Sequence, residues 1–260
     1  MASTRADLEG AFRLIYQAYL RSGLATSNRF GMRVTPYHLL STTDVFLAKC
    51  RHEPICTASL VADGDYGLPM ESVYADQVRQ RRAAGLRLGE VTCLADRRRD
   101  VARFFPVFVR LARLLVQTAR HRGLDQILVA VHPRHARFYE RYLAFEAIGD
   151  ERAYPHACGN PAVALCLDFQ RADILAHTGR WDHSYQQFFG TRIPTRHMHA
   201  PARIAADQDH FRKMVDPRAL AAAEAIQIAR PTDPMPAAPS TAAARETDRV
   251  EHQPGVDLVP

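Results

Sequence analysis

The chain has 260 residues, 47% of them hydrophobic, and a formal net charge of +6, which is enough for one buried core but too short for two full-sized domains beside a long polar terminus. No run approaches the roughly 18 uninterrupted apolar residues of a membrane span, Asp7 and Glu9 break any signal-peptide pattern, and five cysteines without close pairs (Cys50, Cys56, Cys93, Cys158, Cys166) argue against a disulfide framework or a zinc ribbon; a cytoplasmic protein with reduced core thiols is expected. Of the 34 basic residues only Lys49 and Lys213 are lysine, an arginine excess that fits either codon bias or recognition of phosphates or an acidic partner.

Leu8, Ala11, Phe12, Ile15, Tyr19 and Leu20 recur at helical spacing, so residues 7–22 read as an amphipathic helix ended by Gly23. An irregular segment carrying Arg29, Phe30 and Arg33 leads to a hairpin, Val45 to Lys49 and Ile55 to Ala62, joined by the turn Arg51 to Pro54. Gly64, Gly67 and Pro69 break the pattern before a short polar helix, Ser72 to Ala83, and a strand, Leu86 to Ala95, that carries Glu90. Phe104, Phe108, Leu111, Ala112, Leu115 and Ala119 line one face of the next helix and Arg110, Arg113, Gln117 and Arg120 the other, with Gly123 as its stop. Five apolar residues, Ile127 to Val131, mark a strand covered on both faces, and Pro133 fits the first position of a helix striped by Phe138, Tyr139, Tyr142 and Leu143. Val163, Leu165, Leu167 and Phe169 alternate as a half-buried strand. The domain plan is a core over residues 1–170, a helical extension over 171–216, and a disordered Pro/Ala-rich tail over 217–260, where no aromatic residue offsets the ordering entropy.

Several polar residues stand out. Glu90 is a charge on a strand otherwise rich in Leu86, Leu88, Val91 and Leu94; it is either a working carboxylate or an edge residue facing solvent or an arginine. His132 and His135 flank a strand end, where ligands gather in α/β sheets, yet polar caps are also common there. Neither has a convincing third partner for a metal, and no metal is expected. Basicity alone suggests nucleic acid, but helix-turn-helix, zinc and RNA-motif signatures are lacking, so no nucleic-acid partner is expected.

The order helix, hairpin, insertion, strand with glutamate, helix, strand, Pro-started helix, strand, together with Phe138-Tyr139-Glu140 and Leu143-Ala144-Phe145, resembles the GCN5-related N-acetyltransferase superfamily over residues 7–170. The resemblance implies an α/β, acyl-CoA N-acyltransferase-like fold, with a mixed, mostly antiparallel central sheet flanked by helices. Acetyl-CoA-dependent members place a glycine-rich loop after the fourth strand, where backbone N–H groups approach a pyrophosphate. Here no glycine lies between Gly89 and Gly123, and the loop reads Asp96, Arg97, Arg98, Arg99, Asp100. Within the superfamily this points to the branch that uses acyl carrier protein. Tyr16 to Gly23, Gly67 to Pro69, Gly89 to Asp96, His132 to Gly149, Tyr154-Pro155, Gly159, Pro161 and Leu165 to Asp168 resemble the N-acyl amino acid synthases, relatives of acyl-homoserine-lactone synthases. Lactone synthases carry an arginine where this chain has Cys93. The Ala144 departure from the usual Leu-Gly-Phe is expected to add only a methyl group.

The resemblance implies transfer of a long-chain fatty acyl group from the 4'-phosphopantetheine arm of acyl carrier protein to an amino acid, with coenzyme A a less favoured donor and no permanently bound cofactor. A lactone-type autoinducer synthase and an acetyl-CoA-dependent N-acetyltransferase are the alternatives. Glu90 would accept the amine proton, and Tyr139 would donate to the thiolate or orient the arm, if it is not simply a core aromatic. His132 or His135 would shuttle a proton. Backbone N–H groups near Val91 and Thr92 would face the thioester oxygen. Phe104, Phe105 and Phe108, with the insertion Gly67 to Leu88, would line the acyl slot unless they are plain core. Arg29, Arg33 or Arg134 would bind the amino-acid carboxylate. Arg97, Arg98, Arg99 and Arg103 would dock the carrier protein, or form a merely solvated loop. The acylated product would partition to membranes.

Overall fold

A computed structural model describes residues 1–98, 101–179, 191–198 and 205–229. Helix α1, Arg5–Arg21, starts where the Thr4 hydroxyl accepts the Asp7 N–H, and it buries Leu8, Ala11, Phe12 and Ile15. Strands β1 (Thr43–Cys50) and β2 (Glu53–Ala62) pair antiparallel around Arg51 and His52, both at positive φ as a two-residue hairpin turn demands. Helix α2 (Glu71–Ala83) precedes β3 (Leu88–Asp96); α3 (Val101–His121) precedes β4 (Gln126–Val131). Gly123, φ 73°, closes α3 by letting the Leu124 N–H return to the Ala119 carbonyl at 3.0 Å. Helix α4 (Pro133–Tyr142), β5 (Glu146–Tyr154) and β6 (Asn160–Asp168) follow. Beyond them lie α5 (Phe169–His177), α6 (Ala205–Arg212) and α7 (Pro217–Ala229).

The six strands form one sheet in the order β1-β2-β3-β4-β6-β5, antiparallel except between β3 and β4. This is the expected mixed sheet flanked by helices. One face carries α3 and α4 over Leu60, Ile127, Val129 and Leu165. Part of the opposite face carries Tyr66, Leu68, Met70 and Tyr74 over Val61, Leu88 and Leu128, so β4 is covered on both sides as its unbroken apolar run predicts. Strand β6 departs from its half-buried reading: it lies between β4 and β5, and Ala164, Leu165, Cys166 and Leu167 are all buried. Its small residues face Tyr74, whose hydroxyl shares its one proton between the Asp150 and Ala162 carbonyls. Gly149 is required there, because a Cβ would sit 2.8 Å from the Tyr74 ring.

The tail reading also changes. Helix α7 occupies the first part of the segment expected to be disordered; its Ala223 is buried with Tyr37 and Tyr66, and Glu224 pairs with Arg212 at 2.6 Å. Alanine-rich composition favours a helix here, and one buried contact face replaces the missing aromatics. Residues 230–260 of that tail lie outside the described residues. Among the described residues no helix is long and apolar enough to cross a membrane.

Candidate active site

Strands β3 and β4 share only three paired positions, ending at Glu90↔Leu128. A β-bulge forces them apart: Thr57 pairs with Ala95 and Ser59 with Thr92, so Cys93 and Leu94 together oppose Ala58 alone. Cys93 sits at φ 56°, a left-handed conformation rare for a residue with a Cβ, and the extra residue bends β3 away from its neighbour. The result is a wedge between Val91–Leu94 and Val129–Val131, with Glu90 at its apex.

A cleft of about 470 Å³ fills the wedge on the α2 face. Its walls include Arg33 to Tyr37, Glu90 to Leu94, Val129 to His132, Tyr139 and Tyr154 to Cys158. A second, apolar pocket lies on the opposite face, beneath α3 and α4, lined by Phe108, Leu111, Leu115, Ala144, Phe145 and Leu167 among others. Val91, Leu94, Val129 and Tyr139 border both. The two pockets therefore meet on either side of an apolar border at the wedge.

Glu90 is only 1% exposed. One carboxyl oxygen accepts the Met70 N–H at 2.7 Å and the other lies 3.5 Å from the Tyr154 hydroxyl. Burial pushes its pKa up to about 8 against the lowering effect of the Met70 bond, with the negative charge of Glu71 adding to the rise. A carboxyl with that value exchanges protons near neutrality, as a general base must. Tyr139 packs edge-on against Phe145 at 5.3 Å, and burial lifts its hydroxyl to about 12, so it stays protonated and able to donate.

Of the other expected residues, Val91, Thr92, His132 and Arg33 also meet at the cleft. The Arg33 guanidinium donates to the His156 carbonyl and lies over the Tyr19 ring at 5.1 Å; its Nε is buried without a hydrogen-bond partner. His132 caps α4, its Nδ1 accepting the Arg134 N–H at 3.2 Å. Arg29 is exposed over Phe30, and Arg134 and His135 bond each other at 3.1 Å on the exposed start of α4, so these three line neither pocket. Phe108 lines the apolar pocket; Phe104 packs behind it, ring centroids 5.2 Å apart, and Phe105 is largely exposed. The insertion Gly67 to Leu88 does not line that pocket. It covers the other face, where it supplies the Met70 N–H to Glu90, because its apolar residues complete the core over β2, β3 and β4. Arg97 pairs with Glu53 and Arg98 with Asp96 at 2.5 Å, Arg103 is exposed, and Arg99 lies outside the described residues.

Sequence reasoning gave no role to Tyr154, His156, Tyr19 or Asp216, all of which line the cleft. Only Tyr154-Pro155, a break at the end of a strand, carried any local signal. Ala144 corrects another expectation. It adopts φ 58°, so the usual glycine there relieves backbone strain as well as a methyl group.

The FeeM family of N-acyl amino acid synthases matches residues 10–168. The chain belongs to this family. It is an N-acyltransferase enzyme, and the matched residues include Glu90 and both edges of the wedge. Among solved structures, FeeM, an N-acyl amino acid synthase from uncultured soil microbes, is 25% identical over 61% of this chain and 88% of that one, with a TM-score of 0.53. The fold is shared with the CoA-dependent acyl-homoserine lactone synthase MesI (18% identity, 73% and 91% coverage, TM-score 0.50). It is also shared with the AHL synthase LasI (13% identity, 72% and 89% coverage, TM-score 0.53). No curated protein sequence matched the chain. Cys93, on the same strand as Glu90, is part of the bulge, and Arg33, reaching in from the segment before β1, supplies the cleft's guanidinium beside it.

Proposed function

We propose that this N-acyltransferase moves a long-chain fatty acyl group from the pantetheine thioester of acyl carrier protein to the α-amino group of an amino acid. One observation carries the reading: a wedge separates a cleft holding a buried carboxyl, Glu90, from an apolar pocket on the far side of the sheet, and four residues border both. A thioester carbonyl held in the wedge would have its tail in the apolar pocket and its carbonyl beside Glu90. The pantetheine amides would pair with the backbone of the splayed strands as an added strand does.

The amine lone pair attacks the thioester carbon while the Glu90 carboxylate accepts an amine proton, directly or through water. Backbone N–H groups near Val91 and Thr92 stabilise the oxyanion. As the carbonyl re-forms, the C–S bond breaks, the thiolate takes a proton from the Tyr139 hydroxyl, and the proton held by Glu90 passes to the Tyr139 oxygen, which restores both groups. Arg33 binds the amino-acid carboxylate: it is the one of the three candidate arginines in the cleft, and its buried Nε has a donor to spare.

The glycine-free loop from Asp96 to Asp100 supports a protein donor over a free nucleotide thioester. The test compares acyl carrier protein, acyl-CoA and an acyl-pantetheine fragment as donors. Carrier-bound donor should win by at least tenfold in kcat/KM, and changing Arg97, Arg98 and Arg99 to alanine should erase that advantage without affecting the fragment. Equal use of all three donors would refute carrier-protein dependence.

A further inference from the structure

The family match ends at residue 168, yet the cleft does not. Val215 pairs in parallel with Val34, and the two residues that line the cleft from this side, Asp216 and Ala219, come from the junction of α6 and α7. That junction is firmly seated. Phe211 packs edge-on against Phe12 at 5.1 Å, the Gln208 amide donates to the Leu39 carbonyl at 3.0 Å, and Arg5 pairs with Asp207 at 2.6 Å. The segment Val34 to Tyr37, which follows Arg33, is thus held between the family core and the extension.

Asp216 caps α7, one carboxylate oxygen accepting the Arg218 N–H at 2.8 Å. It forms no ion pair among the described residues, whereas arginine claims Asp63, Asp96, Asp125 and Asp207. The side chains with full charges on the cleft wall are therefore Arg33 and Asp216, with Glu90 buried at the apex. In an α-amino acid held for acyl transfer, the carboxylate takes Arg33 and the amine must lie at Glu90. The anion left over on the outer wall has no counterpart in a neutral amino acid.

We propose that the C-terminal extension completes the acceptor site and that Asp216 selects amino acids carrying a positively charged side chain. This rests on the acyl-transfer reading above. Asp216 is exposed at the cleft wall, so its attraction for a cationic side chain is screened by solvent and salt and should give a preference of a few fold.

The experiment sets lysine against norleucine, its uncharged and slightly shorter counterpart, with acyl carrier protein as donor and mass spectrometry to locate the new amide. The full-length protein should favour α-acylation of lysine by about three- to fivefold in kcat/KM. Asp216→Asn, which keeps the helix cap, should bring the ratio to within about 1.5-fold of unity while leaving norleucine turnover in place. A ratio near one in the parent protein, or an unchanged ratio in the variant, overturns the proposal. Calorimetric titration with free lysine and norleucine separates the two readings. If no acceptor is acylated, the transfer reading fails by itself. Tighter lysine binding that is lost in Asp216→Asn still supports the acceptor site, and equal binding of both amino acids sinks it.

Discussion

Replacing Glu90 by glutamine should make the protein slower and, above neutral pH, more stable. The isostere keeps an oxygen to accept the Met70 N–H and gains a donor for the Tyr154 hydroxyl, but it can neither take a proton nor become charged. In the folded protein the Glu90 pKa stands at about 8 against an ordinary 4.5. Between those values the folded state keeps the proton and the unfolded chain releases it, so the stability contributed by Glu90 is complete below pH 4.5 and is lost as pH rises to about 8. At about 1.4 kcal/mol per pH unit, ionising the folded protein costs a few kcal/mol, after allowance for relaxation around a buried charge. Chemical denaturation from pH 5 to 9 should therefore show the parent losing stability relative to Glu90→Gln by that amount. Over the same range the parent's kcat/KM should climb and level off above pH 8, while the variant should be roughly 10²–10⁴-fold slower. Parallel stability curves would show that Glu90 is not buried as described, and undiminished turnover would remove it from the mechanism.

Tyr139→Phe should keep its packing against Phe145 and melt within a degree or two of the parent, yet lose at least tenfold in kcat if its hydroxyl protonates the leaving thiolate; stopped-flow thiol release reads this directly. Arg33→Gln should raise KM for the amino acid at least tenfold while KM for the acyl donor stays put, as seen in initial rates with each substrate varied in turn. Ala144→Gly should stabilise the protein by about 0.5–1 kcal/mol, since glycine adopts φ 58° without a Cβ penalty but costs some unfolded-state entropy; a lowered melting temperature would contradict that conformation. Ala219→Phe should obstruct the acceptor side and raise KM for every amino acid alike, with donor binding intact.

The elements whose apolar residues repeat at one clear period were legible in the chain: α1 from Leu8 to Ile15, α3 from Phe108 to Ala119, β4 from its unbroken Ile127 to Val131. Glu90 and Tyr139 were legible for a related reason, as polar groups set in apolar or motif-bearing stretches. The remainder of the cleft was not, because its residues become neighbours only through long-range pairing. Arg33 could not be distinguished from Arg29 until the segment before β1 was seen pinned to α1, the Arg33 N–H bonding the Phe12 carbonyl at 3.0 Å. Tyr154 enters because β5 lies beyond β6 at the sheet edge, an order no local pattern encodes. Asp216 lies some 126 residues from Glu90 in sequence, at the last position of the segment read as a helical extension, where no pattern ties it to the cleft.

Because the polar cleft and the apolar pocket open on opposite sides of the same sheet, the finished amide would be threaded like a bolt, its charged head on one side and its hydrocarbon shank on the other. The head carries a carboxylate and cannot cross a gap bordered by Val91, Leu94, Val129 and Tyr139, so departure means drawing the whole shank back out, one methylene after another. Each of those methylenes gives up about 0.8 kcal/mol of burial, roughly a fourfold longer stay per added carbon. Longer products should then hold the enzyme progressively harder, and a micelle or bilayer able to receive the emerging tail should set the pace of turnover.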